Sequence, residues 1–166
     1  MMIVKRQRLL EIHHALTQLA EHARGVKLAY AIARNLGRLR EEVEATQKAG
    51  TPSRAFQEFD QARLKFCQAL CTKDNEGRPL IEQGQFILGE NQPELDRLVD
   101  KLKGEYVEAI SEREKQLAEW RTLLDGEADA KFHLVALEDV ESGISADVPS
   151  LALLLEPLLG YVIPEG

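Results

Sequence analysis

The stretch CTKDNEGRPLIEQGQFIL, Cys71–Leu88, is polar and punctuated by glycine, and it separates two parts of the chain that both have helical patterns. Its first part, KDNEG, is typical of a turn, because Asp74 and Asn75 tolerate left-handed backbone and Gly77 takes a positive φ without steric cost. PLIE and QFIL then flank Gln83–Gly84, which favours a two-residue β-hairpin turn. We therefore predict that this insert reverses the chain and carries a small β-hairpin.

The predicted hairpin has more apolar residues than a simple chain reversal requires. An isolated two-stranded hairpin is marginally stable in water, so these side chains must pack against helix ends or against another chain. They form our first candidate interaction site. Its residues are Leu80, Ile81, Phe86, Ile87 and Leu88.

Helical periodicity dominates the sequence before the insert. A first helix is predicted over about Lys5–Ala23. From Val26 onward, apolar residues alternate spacings of three and four, which is the pattern of a coiled-coil seam. The part of this seam over about Val26–Leu39 extends beyond the second arm of the predicted helical hairpin and needs another cover, for which the first helix and the C-terminal segment are available. Its residues are Ala29, Ile32, Leu36, Leu39, Val43 and Thr46.

The segment AGTPS, Ala49–Ser53, predicts either a break or a kink, with Thr51 as the N-cap of the next helix. That helix has an apolar stripe that includes three phenylalanines, and it fades at Thr72. Beyond the insert, Asn91 and Glu94 form a variant of the capping box. A single long helix is predicted from there to Asp125, with Gly126 ending it.

The last forty residues change character. The run KFHLVAL, Lys131–Leu137, predicts a short β-strand, and Ser145 is a candidate cap for a last helix that ends near Leu159. The leucines of SLALLLEPLLGYVI exceed what one helical stripe buries, so the segment is either core or a surface for self-association. The residues of this second candidate interaction site are Leu151, Leu154 and Leu158.

Together these patterns predict a mainly α fold: a long antiparallel helical hairpin, or coiled-coil-like stalk, with a small β-hairpin at its tip. We expect a single domain over residues 1–166. The stalk is expected over about residues 40–124. A small globular end is expected from residues 1–39 and 127–166.

The chain has a net charge of −7, yet residues 1–40 hold eight Lys and Arg against two Glu. A basic face runs along one side of the second helix. It is either a nucleic-acid surface or the neutralising partner of an acidic helix. The face lacks interleaved aromatic residues and a helix-turn-helix, which disfavours nucleic acid. Its residues are Arg24, Lys27, Arg34 and Arg38.

Patterns that carry chemistry are missing from the sequence. It contains no P-loop, GxGxxG, GxSxG or HExxH. Adjacent His13 and His14 point to different faces of a helix. Cys67 and Cys71, four residues apart, would close almost no loop as a disulfide and make a poor zinc site, which favours a reducing compartment. We therefore predict no enzyme, with no catalytic residue, cofactor or metal.

Neither a membrane span nor a secretory signal is predicted. No window approaches the run of about 18 to 20 apolar residues that spans a bilayer. The N-terminus has basic residues but no apolar run and no small-residue cleavage site. We expect a cytoplasmic protein without membrane contact.

Three segments in this order resemble a family of small, functionally uncharacterised proteins of tailed phages and prophages. They are Ala15–Glu44, the insert Cys71–Leu88 with its KDxxGxP pattern, and the leucine-rich Ala136–Leu159. The chain departs from the family pattern at KAGTPSRAFQEF. The resemblance implies a phage or prophage product in the host cytoplasm or associated with the virion, and it offers no catalytic residue.

The expected function is therefore a non-enzymatic structural or assembly role through protein–protein contact. A protein is the expected partner, and a second copy of the chain is one candidate. The alternative is a nucleic-acid-associated regulator that uses the basic N-terminal helices.

Overall fold

The computed structural model describes residues 2–145, 148 and 150–164, and they are mainly helical with two small antiparallel sheets. The chain divides into two compact units, the first formed by Met1–Gly50 with Glu119–Gly166 and the second by Thr51–Ala118. The helices are α1 (Arg6–His22), α2 (Val26–Gly50), α3 (Arg54–Leu70), α4 (Gln92–Glu105), α5 (Val107–Asp125), α6 (Leu137–Gly143) and α7 (Leu151–Leu155). The strands are β1 (Met2–Lys5), β2 (Ile81–Glu82), β3 (Gln85–Phe86) and β4 (Glu127–Ala130). Short 3-10 helices cover Gly89–Asn91 and Glu156–Leu158.

The core of the first unit forms where α1 packs along α2. The apolar residues of α1 that follow each other at spacings of three and four are all buried, namely Leu9, Ile12, Leu16 and Leu19. Ile32, Leu39, Val43 and Thr46 of the predicted α2 seam are buried as well. Leu36 is half-buried and Ala29 is exposed. Most residues of the predicted seam are thus buried, and α1 is their main cover.

The buried face of α2 is wider than the predicted seam, since Leu28, Ala31 and Asn35 are also buried. The reason is α6, which contacts the N-terminal part of α2. A Cβ atom added to Gly25 would lie 2.9 Å from the Cα of Gly143, so backbone meets backbone there. Leu28 packs directly against Gly143. These covers from distant parts of the chain, α6 at Leu28 and the segment around His133 at Asn35, explain why the buried face is wider than the periodicity predicted.

A sheet of β1 and β4 joins the N-terminus to the residues after α5, with Met2 opposite Ala130 and Lys5 opposite Glu127. Sequence analysis missed both strands. The predicted strand Lys131–Leu137 is wrong, because β4 ends at Ala130 and residues 131–136 have no regular secondary structure. Glu-Ala-Asp-Ala has low intrinsic β-propensity, so only pairing with β1 makes it a strand.

Buried Asn35 of α2 holds the segment that follows β4. Its Nδ2 donates to the carbonyl of His133 at 2.9 Å, and its Oδ1 accepts from the backbone N–H of His133 at 2.6 Å. The side chain is fully buried. The next buried residue, Val135, donates its N–H to the carbonyl of Val162 at 2.9 Å. A side chain thus replaces the neighbouring strand that these backbone groups would otherwise need.

The region between α2 and α3 is a break, not a kink. Residues 51–53 are non-helical, and Ser53 rather than the predicted Thr51 is the N-cap. The Ser53 hydroxyl accepts a hydrogen bond from the N–H of Phe56 at 3.3 Å. Because the N-cap is Ser53 and the helix begins at Arg54, Pro52 lies outside the helix.

The predicted single long helix after the insert is wrong, because α4 and α5 are separated at Tyr106, which has φ −117° and ψ 24°. Gly104 lowers the helix propensity just before this point. The ring of Tyr106 lies with its centroid 5.9 Å from that of Phe59 on α3. The end of α5 at Asp125, before Gly126, is confirmed.

Two predicted caps are also wrong. The side chain of Asn91 makes no cap and instead donates to the carbonyl of Leu70 at 2.7 Å, at the open end of α3. Ser145 does not start a helix, since its N–H donates to the carbonyl of His22. Among the described residues, the last α-helix is α7, which is shorter than the helix predicted from Ser145 to about Leu159. Part of that predicted helix lies outside the described residues. In both cases the polar group of the predicted cap donates a hydrogen bond to a carbonyl that is distant in sequence.

In the second unit, α3 runs antiparallel to α4 and the start of α5. Leu70 bonds to Asn91 near one end, Phe59 meets Tyr106 in the middle, and Thr51 accepts a hydrogen bond from Gln116 at the other end. The longer stalk over residues 40–124 and the single domain stay predictions.

We expect Asn35→Ala to lower the free energy of unfolding by about 2 kcal/mol. The change removes two hydrogen bonds and leaves both backbone groups of His133 without their partner. Urea unfolding followed by circular dichroism measures the effect. The matched control is Asn75→Ala in the exposed insert, which should change stability little, and an equal loss in both variants would contradict this role of Asn35.

Candidate functional site

The hairpin predicted within the insert is confirmed. β2 and β3 pair with Ile81 opposite Phe86 and Glu82 opposite Gln85. The two turn residues, Gln83 and Gly84, have φ values of 50° and 78°. Positive φ at both positions is the geometry of a type I′ turn, whose twist matches that of the flanking strands.

Backbone hydrogen bonds fasten this hairpin to the chain that leaves α3. Thr72 donates its N–H to the carbonyl of Ile87 at 2.7 Å and accepts from the N–H of Leu80 at 2.9 Å. Ile87 donates to the carbonyl of Leu80 at 3.0 Å. Thr72 therefore binds both sides of the hairpin at its base, which supplies the support that an isolated hairpin lacks.

The KDNEG turn is organised by the carboxylate of Asp74. Its Oδ1 accepts from the N–H groups of Glu76 and Arg78 at 2.8 and 2.9 Å, and its Oδ2 accepts from Nε of Arg78 at 2.9 Å. These bonds, first of all the backbone bond from Arg78, lower the pKa of Asp74. Gly77 has the predicted positive φ of 78°, and the left-handed region is not used by Asp74 or Asn75.

Three of the five candidate residues on the hairpin are exposed: Leu80 at 37%, Ile81 at 59% and Ile87 at 36%. We call them the tip surface. Phe86 and Leu88 are half-buried. The backbone bonds described above restrain the hairpin that carries the tip surface, so its apolar side chains are presented with little freedom to lose on binding.

The leucine-rich C-terminal segment is mostly part of the core of the first unit. Leu158 is fully buried, and Leu151 and Leu154 are half-buried against the core. Leu158 therefore presents no surface to a partner. Leu153 is 76% exposed. Sequence analysis left it out, and no periodic signal distinguishes it from its leucine neighbours.

A groove of about 460 Å³ lies between α1 and α7 and was missed by sequence analysis. His14 and His22, two helical turns apart, line it together with Glu21 and Ser150. Within the described part of the chain, these histidine rings have no hydrogen-bond partner. Among the described residues that line the groove, no hydrogen bond joins a histidine to the Ser150 hydroxyl.

The four residues of the basic face have different environments. Lys27 forms an ion pair of 3.0 Å with Asp139 of α6, and Arg38 donates to the carbonyl of Lys131 at 3.5 Å. Arg24 and Arg34 are exposed, and across residues 2–145, 148 and 150–164 their side chains make no hydrogen bond or ion pair. Half of the face is therefore already engaged within the first unit.

The described residues also bear on metal binding, on disulfide formation and on membrane crossing. No group of three or more His, Cys, Asp or Glu side chains there is arranged to hold a metal ion. Both cysteines are free thiols, with Cys71 buried and Cys67 half-buried. No helix in the described ranges has the length and apolar character to cross a membrane.

Comparisons with protein-family models, curated proteins and solved structures gave no match.

We expect acid to loosen the KDNEG turn. Because the folded pKa of Asp74 is depressed below its ordinary value of 3.8, the carboxylate stabilises the turn above that pH, and this contribution is lost as the pH falls through the folded pKa. NMR chemical shifts of the Glu76 and Arg78 amide protons should report this transition. In Asp74→Asn, which has no carboxylate, the same transition should vanish, and its persistence there would assign it to another group.

Proposed function

We propose that this chain is a non-enzymatic protein-interaction protein, a structural or assembly component of a phage or prophage, which contacts its protein partner through the tip surface. The observation that carries the proposal is the exposure of Leu80, Ile81 and Ile87 on one small hairpin with a defined register. A partner that covers these side chains removes apolar surface from water, at about 25 cal/mol per Å².

The construction of the tip supports a contact role over a simple chain reversal. A reversal needs only turn residues, which KDNEG already supplies. The chain adds a second turn at Gln83–Gly84 and ties it to Thr72. These additions place aliphatic side chains beside exposed polar ones, an arrangement typical of protein contact surfaces with an apolar centre and a polar rim.

The phage or prophage context and a longer helical hairpin belong to the same proposal. The resemblance of three segments to phage and prophage proteins supports an assembly role. The heptad pattern of α2 and the antiparallel order of α3 and α4 support a longer helical hairpin with the tip surface at its end.

We expect the combined change Leu80→Thr, Ile81→Thr and Ile87→Thr to abolish partner binding while the fold is retained. Threonine keeps the β-propensity of these positions but removes most of the apolar area. Binding is measured by co-purification of the tagged chain with the products of its neighbouring genes, each expressed singly. Circular dichroism and thermal unfolding report the fold.

The matched control replaces exposed apolar residues elsewhere in the second unit, Leu64→Gln on α3 and Val107→Thr on α5, which are 43% and 63% exposed. It should bind as the wild type does. If the triple tip variant keeps full binding, or if the control loses it equally, the tip surface is not the contact and the proposal fails.

We further expect limited proteolysis to cut the insert first. Its Lys73 and Arg78 are exposed. Trypsin cleavage followed by mass spectrometry should therefore find early cuts within residues 71–88, with α1 and α2 protected. Early cutting within residues 1–40 would oppose the proposed arrangement of an accessible tip and a protected globular end.

The nucleic-acid alternative has weaker support. A phosphate-binding surface needs free cations, but Lys27 and Arg38 already bind oxygen acceptors of the first unit. Of the four residues of the basic face, only Arg24 and Arg34 are left to attract phosphate, and two charges contribute little to the affinity for nucleic acid. The basic face is better explained as mainly a neutralising surface.

A further inference from the structure

The outer face of α2, opposite its buried stripe, has features that the proposed function does not use. Val26 is 85% exposed, and Tyr30 is 58% exposed although its ring makes a T-shaped contact with that of His133, at 5.3 Å between centroids. Ala33 and Gly37 follow on the same face, also exposed. In α-helical geometry these four residues lie along one line, because their spacings are four, three and four.

Among the described residues, none packs so closely against Gly37 that a glycine is required there. A Cβ atom built there meets no other atom within 4 Å, so alanine would fit. Glycine in the middle of a helix costs about 0.5 to 1 kcal/mol relative to alanine. With Ala33 one turn away, Gly37 leaves a low surface at the edge of a groove that His13 and Thr17 of α1 also line, and a second helix can approach closely there.

Two oppositely charged residues flank this site. Arg34 and Glu41 are exposed, and neither makes an ion pair or hydrogen bond within the described ranges of the chain. They are seven residues apart, about 10.5 Å along the helix axis, and on the same side of the outer face. By contrast, Arg40 and Glu44 pair with each other at 3.0 Å. The unpaired charges thus lie on either side of Gly37.

The geometry points to a symmetric dimer in which the outer faces of two α2 helices cross antiparallel near Gly37, so that Arg34 of each copy pairs with Glu41 of the other. A two-fold axis makes every contact between the copies occur twice. If a positive and a negative residue lie at equal distances on either side of the axis, each copy places its positive residue opposite the negative residue of the other. Arg34 and Glu41 meet this condition. Tyr30 then lies over the exposed Ala45 of the second copy and adds apolar contact.

One helix face is smaller than the roughly 800 Å² per partner of typical stable complexes. We therefore expect a reversible dimer with a dissociation constant in the micromolar range. Its ion pairs are exposed to solvent, so added salt should weaken it. This surface is independent of the tip, and the two proposals can fail separately.

The test is a charge exchange followed by sedimentation velocity over micromolar to millimolar protein. Arg34→Glu or Glu41→Arg alone places like charges opposite each other twice, and should weaken the dimer about tenfold or more. The double variant R34E/E41R restores both pairs with reversed polarity, and should return the dissociation constant to near the wild-type value. Rescue of this kind is not expected if the single changes merely disturb the fold.

Arg24→Glu is the matched control, since it makes the same charge change at an exposed basic residue that lies before α2. It should leave the dimer intact, whereas both R24E and R34E would weaken nucleic-acid binding. Gly37→Leu has open space in the protomer, so it should fold and yet block the dimer. The triple tip variant should dimerise as the wild type does.

The proposal is overturned if the wild-type chain is monomeric throughout this range, or if R34E dimerises normally. It is also overturned if the folded R34E/E41R variant fails to recover, or if the tip variant loses the dimer.

Discussion

The rest of the first unit depends on the mutual burial of the apolar stripes of α1 and α2. Leu9, Ile12, Leu16 and Leu19 of α1 are almost completely removed from water against α2. Each such side chain contributes on the order of 1.5 to 3 kcal/mol of burial free energy. This pair of neighbouring helices provides a surface to which later parts of the chain attach. β4, α6 and the segment that ends at Ile163 all complete it from far away in sequence.

Attachment of those later parts is specified by polar groups as well as by apolar burial. Asn35 is fully buried and satisfies both backbone groups of His133. Trp120 donates its indole N–H to the carbonyl of Thr46, and its ring covers Gly50, where any Cβ atom would collide with it. Such bonds add directional requirements to an apolar surface that would accept many packings, and so favour one arrangement.

The second unit carries its β-hairpin and the KDNEG turn at one end of the pair formed by α3 and α4. The short sheet β2–β3 is stable in this setting because Thr72 and Asp74 satisfy backbone groups at its base and in the adjoining turn. Exposed aliphatic side chains on a restrained hairpin suit recognition of a protein surface. The outer face of α2 offers a different kind of surface, defined by small residues and reciprocal charge, so the proposed partner contact and the proposed dimer use separate surfaces.

Local signals determined much of this protein from the sequence by itself. Helical periodicity located α1, α2 and α3, because apolar residues at spacings of three and four record which face is buried. The hairpin at Gln83–Gly84 was predictable because its turn requires positive φ, which few residues accept. The five hairpin candidates were correctly located on that hairpin, although only three of them are exposed.

Tertiary structure decided what depends on partners distant in sequence. Glu127–Ala130 became a strand because Met2–Lys5 pairs with it, while the more β-prone Lys131–Leu137 did not, because Asn35 binds its backbone. Leu158 and Leu153 have the same side chain in one short segment, yet one is buried and the other exposed. Residue type and local spacing carry no record of such distant contacts. The folded chain therefore decided which of these apolar side chains are exposed.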